Sequence, residues 1–370
     1  MNLQADNRIV MTLDAGGTNF VFNAIQGGEE MFDPYRIKAK GDTLEEVLNK
    51  IITGFNQVKE GLKESPVAIS FCFPGPADYP NGIIGDLENL PTFRGGVALK
   101  AMLEEKFGIP VYINNDGDLF AYGEAIGGIL PEINEKLEAA GNPKRYRNLF
   151  GVTFGTGFGG GIVNNGQLFI GDNSAGGEVN RMRNRLYPNT SAEDSTAIRG
   201  IRRVYAREAG IPFDEAPNPK DIQDILLGTF KGNRDAALKA WAEMAIVAGD
   251  TLANSITLID GIIVIGGGLA GAYQVFLQTL VDEMNAAFQS LDGHSVPRLE
   301  ITALNLENPY EMAKFLENQS LEIKVPFSDK TVTYNPTRYI GVGVSRLGTS
   351  KAVSVGAYAY ALAELDKPSV

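Results

Sequence analysis

A two-domain α/β protein is the fold class this sequence predicts, on three observations. Its 370 residues exceed what one hydrophobic core usually organises. Short apolar runs of strand length alternate with longer stretches of helical periodicity, as in an α/β chain. One piece of grammar also occurs twice: strand, Gly/Thr loop, strand and turn, near residues 10–28 and again near 149–166. That weak repeat predicts two related halves facing one another.

The first copy of the repeat is the stretch Val10 to Phe20, VMTLDAGGTNF. A strand over residues 8–14 ends in Asp14, and Gly16 and Gly17 let a ligand approach the backbone of the bend. Thr18 and Asn19 add neutral donors, and Asp14 is a carboxylate within reach of a cation. Such a loop suits phosphate and magnesium, and equally a plain hairpin turn.

A second strand, Phe20 to Ile25, precedes a turn at Gly27-Gly28 and a return strand near Glu30 to Lys38. Asp42, with Glu45 three residues on, predicts a helix start. Leu44, Val47, Leu48, Ile51, Ile52, Phe55 and Val58 then keep one apolar face. Val67 to Phe73 is the continuous apolar run of a strand covered on both faces, and Pro74 to Asp78 turns at its end. Ligands of open α/β sheets gather at such edges. After a loop over Gly82 to Gly96 and a helix over Val97 to Phe107, the strand Pro110 to Ile113 delivers Asn114-Asn115-Asp116. A helical run follows from Leu119.

The second copy is Leu149 to Phe154, a glycine loop over Gly155 to Gly161, a strand from Ile162, and a type I′ turn at Asn165-Gly166. A polar stretch carrying Glu178 and Arg181 leads to a helix opened by Glu193. Ala236 to Leu258 reads as a long helix whose Trp241, Met244 and Leu252 are core residues. Gly261 to Leu269 is a buried strand ending in Gly266-Gly267-Gly268, with a helix from about Ala272 and a strand over Leu299 to Leu304. Residues 305–339 look irregular apart from a hairpin, Leu321 to Val325 turning at Ser328-Asp329. An alanine-rich helix, Val353 to Leu365, closes the chain.

Composition narrows the function. A formal charge of -12 argues against a nucleic-acid partner, whose phosphates demand a basic face. No apolar span approaches the ~20 residues of a membrane helix, and the start carries no apolar leader, so a cytoplasmic address with no membrane partner is expected. The one cysteine, Cys72, excludes an internal disulfide and a multi-cysteine zinc site, and reads as a buried thiol. The one histidine, His294, sits in a turn-like surface context, which disfavours histidine catalysis.

Four ligand-edge features thus stand in order: the Asp14 loop, Asn115-Asp116, the Gly155 to Gly161 loop and the Gly266 to Gly268 strand end. Singly each has a structural reading, a hairpin turn, a helix cap or a packing device. In this order the chain resembles the ROK family (repressors, open reading frames, kinases) of the actin, hexokinase and Hsp70 ATPase superfamily. LDAGGTN resembles the family's first phosphate motif, FPGPAD its sugar-loop turn, and NND the segment of the catalytic aspartate. GVTFGTGFGGGIV resembles the second phosphate motif, DGIIVIGGGL the adenosine motif, and SRLGTSKAVSVGAYAYAL the closing loop and helix.

The resemblance implies an actin-like ATPase (ribonuclease H-like) fold with a central cleft. Residues 1–117 and the C-terminal helix 351–370 would form one domain, and 118–350 the other, with 305–339 an extra segment. It implies an ATP- and Mg2+-dependent kinase of a hexose or N-acetylated hexose, assembled as a homodimer. Asp116 would be the general base, a role worth roughly 10²–10⁴-fold. Asn89, Asn115, Glu178, Arg181 and Glu193 would bind the sugar. Asp14, Gly16, Gly17, Thr18, Asn19, Gly155, Thr156, Gly157, Gly266 and Gly267 would hold the nucleotide and its phosphates, with Asp14 on the magnesium side through water.

Two departures stand out. The family's Gly-Glu-x-Gly-His segment and zinc cysteines are replaced by Gly177-Glu178-Val179-Asn180-Arg181 with no cysteine after it, so no zinc is expected. Arg181 either pairs with Glu178 or meets an anionic sugar. The residues leave glucose, fructose, mannose, allose and amino sugars open. The alternative is a sugar-binding, non-catalytic or regulatory family member without a DNA-binding domain, since only Met1 to Asn7 precede the first strand.

Overall fold

The computed structural model describes residues 3–15, 18–87 and 90–368. The chain divides into two compact units, Met1–Gly128 with Gln167–Gly177 and Leu347–Val370, and Ile129–Gly166 with Glu178–Arg346. The helix Asp116–Gly127 belongs to the first unit.

In the first unit the strand Val10–Ala15 pairs antiparallel with Asn19–Gln26 and parallel with Ala68–Cys72, which pairs parallel with Val111–Asn114. The return segment is two strands, Glu29–Glu30 and Tyr35–Lys38, each paired with Asn19–Gln26. Gly27 and Gly28 take φ 62 and 82, the left-handed backbone a tight turn requires. The helix Leu44–Gly61 starts one residue later than its acidic spacing suggests. Thr43 is the cap: its hydroxyl accepts the Glu46 N–H at 3.2 Å, while Glu46 reaches back to the Asp42 N–H at 2.9 Å. Val47, Ile51, Phe55 and Val58 carry its buried stripe onto Phe22 and Phe71.

The second unit repeats that arrangement. Leu149–Phe154 pairs antiparallel with Phe158–Asn164 and parallel with Ile262–Gly266. Tyr339–Val344 and Thr302–Asn305 extend the parallel part. The expected seven-residue glycine loop is shorter: Gly159, Gly160 and Gly161 lie opposite Thr153, Val152 and Gly151 in the hairpin, leaving Gly155 to Gly157 as the turn. The long helix Arg234–Ile259 packs on Tyr273–Met284 through Trp241, whose ring stacks on Phe276 at 5.9 Å. Two elements carry no clear signal in the sequence, the helix Pro309–Leu316 and the ribbon Ala287–Gln289 with Ser295–Pro297. His294 is in that ribbon's turn and exposed.

Among the described residues no helix is long and apolar enough to cross a membrane.

Candidate active site

In the first unit the parallel register lines up chemistry at the strand ends. Asp14 lies beside Cys72, and Cys72 beside Asn114, at the carboxyl edges of three neighbouring strands. Asn115 follows as the cap of the helix Asp116–Gly127, its side chain accepting the Gly117 N–H at 2.7 Å. The helix thus begins at Asp116, three residues before the expected apolar run. The Asp116 carboxylate also accepts the Gly117 N–H, at 2.9 Å, and its side chain stays exposed on the first turn.

Asp14 is open to solvent, yet enough protein surrounds it to raise its carboxyl above the usual range. Desolvation is the largest cause and Asp116 repulsion the second, with Arg36 opposing both. Asp14 and Asp116 therefore feel one another. Cys72 is buried, and burial first, then these two carboxylates, push its thiol up, as for an inert structural cysteine. Tyr79 closes the group: its hydroxyl donates to the Phe73 carbonyl at 2.9 Å. Burial raises its pKa, a bond with Asn115 opposes that, and Asp116 adds to it. Thr18 and Asn19 are exposed at the start of the second strand. Gly16, Gly17 and Asn89 lie outside the described residues.

In the second unit the turn Gly155 to Gly157 is braced from below. Gly155 N–H donates to the Gly157 carbonyl at 2.9 Å, and Ile198 N–H donates to the Gly155 carbonyl at 2.9 Å. Glu193 accepts the Phe158 N–H at 3.0 Å and pairs with Arg199 at 2.7 Å. A Cβ on Gly157 would come within 2.9 Å of the Glu193 carboxylate, so a side chain there would have to displace that carboxylate from its brace. Among the described residues the N–H groups of Thr156 and Gly157 take no hydrogen-bond partner. No motif in the sequence marks Arg199. Its position six residues after Glu193 becomes meaningful only when a break near Ala197 brings the two helices together.

Beside that turn lies a pocket of about 330 Å³ lined by Ile198, Asn218, Gln223, Trp241, Gly268 and Leu269 among others. An added Cβ on Gly155 would reach the Gly268 nitrogen at 4.0 Å, so turn and pocket adjoin. The glycines after the strand divide their labour. Gly267, at φ 84, presses on the backbone of Phe154 and is required by the chain itself, whereas a Cβ on Gly268 would meet nothing within 4 Å. Gly268 is thus the glycine at the pocket, next to the expected Gly266 and Gly267. Trp241, expected as plain core, is both: 1% exposed and part of the pocket wall, with its indole Nε1 unpartnered among the described residues. Asn218-Pro219, a capped helix start, is the one sequence signal that could have pointed to this pocket.

Glu178 and Arg181 are exposed on a short 3-10 turn of the second unit. The expected ion pair between them does not form; the bond recorded is Arg181 N–H to the Glu178 carbonyl at 3.1 Å. The turn holds the two residues through the backbone and leaves both charges facing water. Among the described residues no three His, Cys, Asp or Glu side chains converge as metal ligands.

The sequence pattern of the ROK family matches residues 10–308. The chain belongs to the ROK family. N-acetyl-D-glucosamine kinase of Photobacterium profundum is 27% identical over 286 residues, 72% of this chain and 86% of that protein. Glucokinase of Thermotoga maritima is 25% identical over 294 residues, 74% of this chain and 86% of that protein. Among solved structures, glucokinase from Parabacteroides distasonis is 51% identical with a TM-score of 0.91, covering 98% of this chain and 99% of that one. The fold is therefore that of ROK kinases, the actin-like ATPase fold.

Proposed function

We propose that this chain transfers the terminal phosphoryl group of ATP to a hydroxyl of a hexose, glucose first among the substrates to test, with Asp116 as general base. Family membership and the 51% identity to a glucokinase along nearly the whole of both chains make it a sugar kinase. That identity carries the choice of glucose over an N-acetylated sugar, since the N-acetylglucosamine kinase of Photobacterium profundum is 27% identical.

Phosphoryl transfer asks the protein mainly to position reactants and to stabilise charge. Asp116 suits the base because its carboxylate is exposed on a first helical turn, where a hydroxyl can reach it. Asn115, held by its own cap bond, would orient that hydroxyl. The unbonded N–H groups of Thr156 and Gly157 suit phosphate oxygens, and the adjoining pocket, with an open cradle at Gly268 and an orphaned indole nitrogen, suits the nucleotide base. Asn89, Glu178, Arg181 and Glu193 are the further sugar contacts in this reading; Glu193 would serve while also bracing the glycine turn.

Magnesium fits the donors present. Asp14 and Asp116 repel one another across the strand edge, a pair that a cation relieves, and since among the described residues no three His, Cys, Asp or Glu side chains converge, most of the ion's positions would fall to water and phosphate. When bound, the ion would shield the phosphate charge. Asp14 would hold it through water. The net charge of -12 argues against nucleic acid and leaves room for a small polyphosphate whose charge magnesium would offset, and we read the assembly as a homodimer.

A coupled ADP-release assay over glucose, N-acetylglucosamine, N-acetylmannosamine, fructose, mannose and allose tests the proposal. Glucose should give the highest kcat/KM. Binding of a sugar with no ADP release would favour the non-catalytic alternative.

A further inference from the structure

The backbone groups of the turn Gly155 to Gly157 can be accounted for one by one. The Gly155 N–H donates to the Gly157 carbonyl, and the Gly155 carbonyl accepts the Ile198 N–H, each at 2.9 Å. The next N–H along the chain, that of Phe158, donates to Glu193 Oε2 at 3.0 Å. The Thr156 carbonyl is met by Nη1 of Arg199 at 3.5 Å. Each carbonyl of the turn, the group that would repel a phosphate oxygen, is thus covered by a donor. Among the described residues the groups left unbonded are the N–H groups of Thr156 and Gly157.

Arg199 reaches this turn because its helix is broken. In one continuous helix, residues six apart point to different faces, so Glu193 and Arg199 would not meet. Ala197, extended at φ -82 and ψ 166, separates the short helix Glu193–Thr196 from the helix Ile198–Ala209. The guanidinium folds back across that break. Its Nη2 donates to Glu193 Oε1 at 2.7 Å while Nη1 meets the Thr156 carbonyl, and Asp194 lies farther off at 3.6 Å. A planar fork can span an acid and a carbonyl at once, which the point charge of a lysine cannot.

We propose that Arg199 is a positioning residue for the phosphoryl donor: by holding Glu193 on the Phe158 N–H and covering the Thr156 carbonyl, it fixes the turn in the form whose free groups are both donors. The inference rests on the phosphate-turn reading above and adds a residue to which that reading gives no part. Charge works in the same direction. A triphosphate nearing this turn meets the carboxylates of Glu193 and Asp194, and the Arg199 cation between them offsets that repulsion. The brace also leaves Glu193 able to bind a sugar. A carboxylate offers about four acceptor sites, of which Arg199 takes one on Oε1 and Phe158 one on Oε2. Each oxygen keeps a lone pair for a hydroxyl.

Calorimetric titration of the full-length protein tests this, with AMPPNP and magnesium in one arm and adenosine, which carries no phosphate, in the other. Arg199→Gln should weaken AMPPNP by about tenfold and leave adenosine unchanged, with circular dichroism retained. Arg199→Lys keeps the charge but loses the span, and should weaken AMPPNP by a similar factor. In a Glu193→Gln background, removing Arg199 should cost little more, because the two side chains act as one unit. Four results would overturn the positioning role alone: AMPPNP bound by Arg199→Gln as tightly as by the native chain, an equal loss for adenosine, full rescue by lysine, or additive losses in the double variant. A native chain that binds AMPPNP no better than adenosine would overturn the phosphate-turn reading, and this inference with it.

Discussion

At the scale of single residues, the site is built from groups that are uncomfortable in the chain alone. Asp14 is raised above the usual carboxylate range by burial and by Asp116, so its ionised form is disfavoured in the folded protein. The folded pKa exceeds the unfolded one, so folding loses stability as pH rises through the window between them, and at neutral pH the full cost is present. Asp14→Asn should therefore raise Tm at pH 7, with the gain shrinking toward pH 4, while magnesium-dependent turnover falls. Thermal unfolding across that pH range checks it; a Tm that falls at pH 7 would contradict the assignment. Such residues were legible because a strand ending in a carboxylate or amide stands out against its apolar run, as at Asp14 and Asn115. Their partners were not. Arg36 and Tyr79 reach Asp14 and Asn115 from separate elements, Arg199 reaches Glu193 in the second unit, and no local pattern announces them.

At the scale of elements, the closing helix Thr349–Leu365 and the helix Asp116–Gly127 lock through glycines. A Cβ on Gly356 would overlap the Leu119 carbonyl, and one on Gly123 the Ala352 carbonyl. In an exposed helix Gly→Ala gains about 1 kcal/mol, whereas overpacking a tight contact costs about 1–3 kcal/mol. The overlap here is with backbone, which cannot rotate away, so the cost wins. Gly356→Ala should lower stability by about 2 kcal/mol, read as a lower urea midpoint with unchanged m; a raised midpoint would show that the helices have slack. Element type was readable wherever periodicity ran long, as in Leu44–Gly61 and Arg234–Ile259. It failed where tertiary pairing decides. Gly159, Gly160 and Gly161 look like a loop and become a strand because a neighbouring strand bonds them. The helix Pro309–Leu316 buries only Phe315, too little to leave a hydrophobic stripe in the sequence.

At the scale of the whole molecule, the repeat of hairpin and parallel strands was visible in the sequence because both copies carry glycines between apolar runs. The assignment of Gln167–Gly177 to the first unit was invisible, since it depends on packing between segments far apart in sequence. Each unit carries a different part of the proposed chemistry: carboxylates at the strand ends of the first, and in the second a glycine turn with unbonded N–H groups beside a pocket. The proposed chemistry turns on Asp116 as the general base. Its most direct test is Asp116→Asn, assayed by glucose-dependent ADP release alongside calorimetric binding of glucose and of ATP. Turnover should fall by about 10²–10⁴-fold with both ligands still bound. Turnover within tenfold of the native enzyme, or loss of ATP binding in place of turnover, would contradict it.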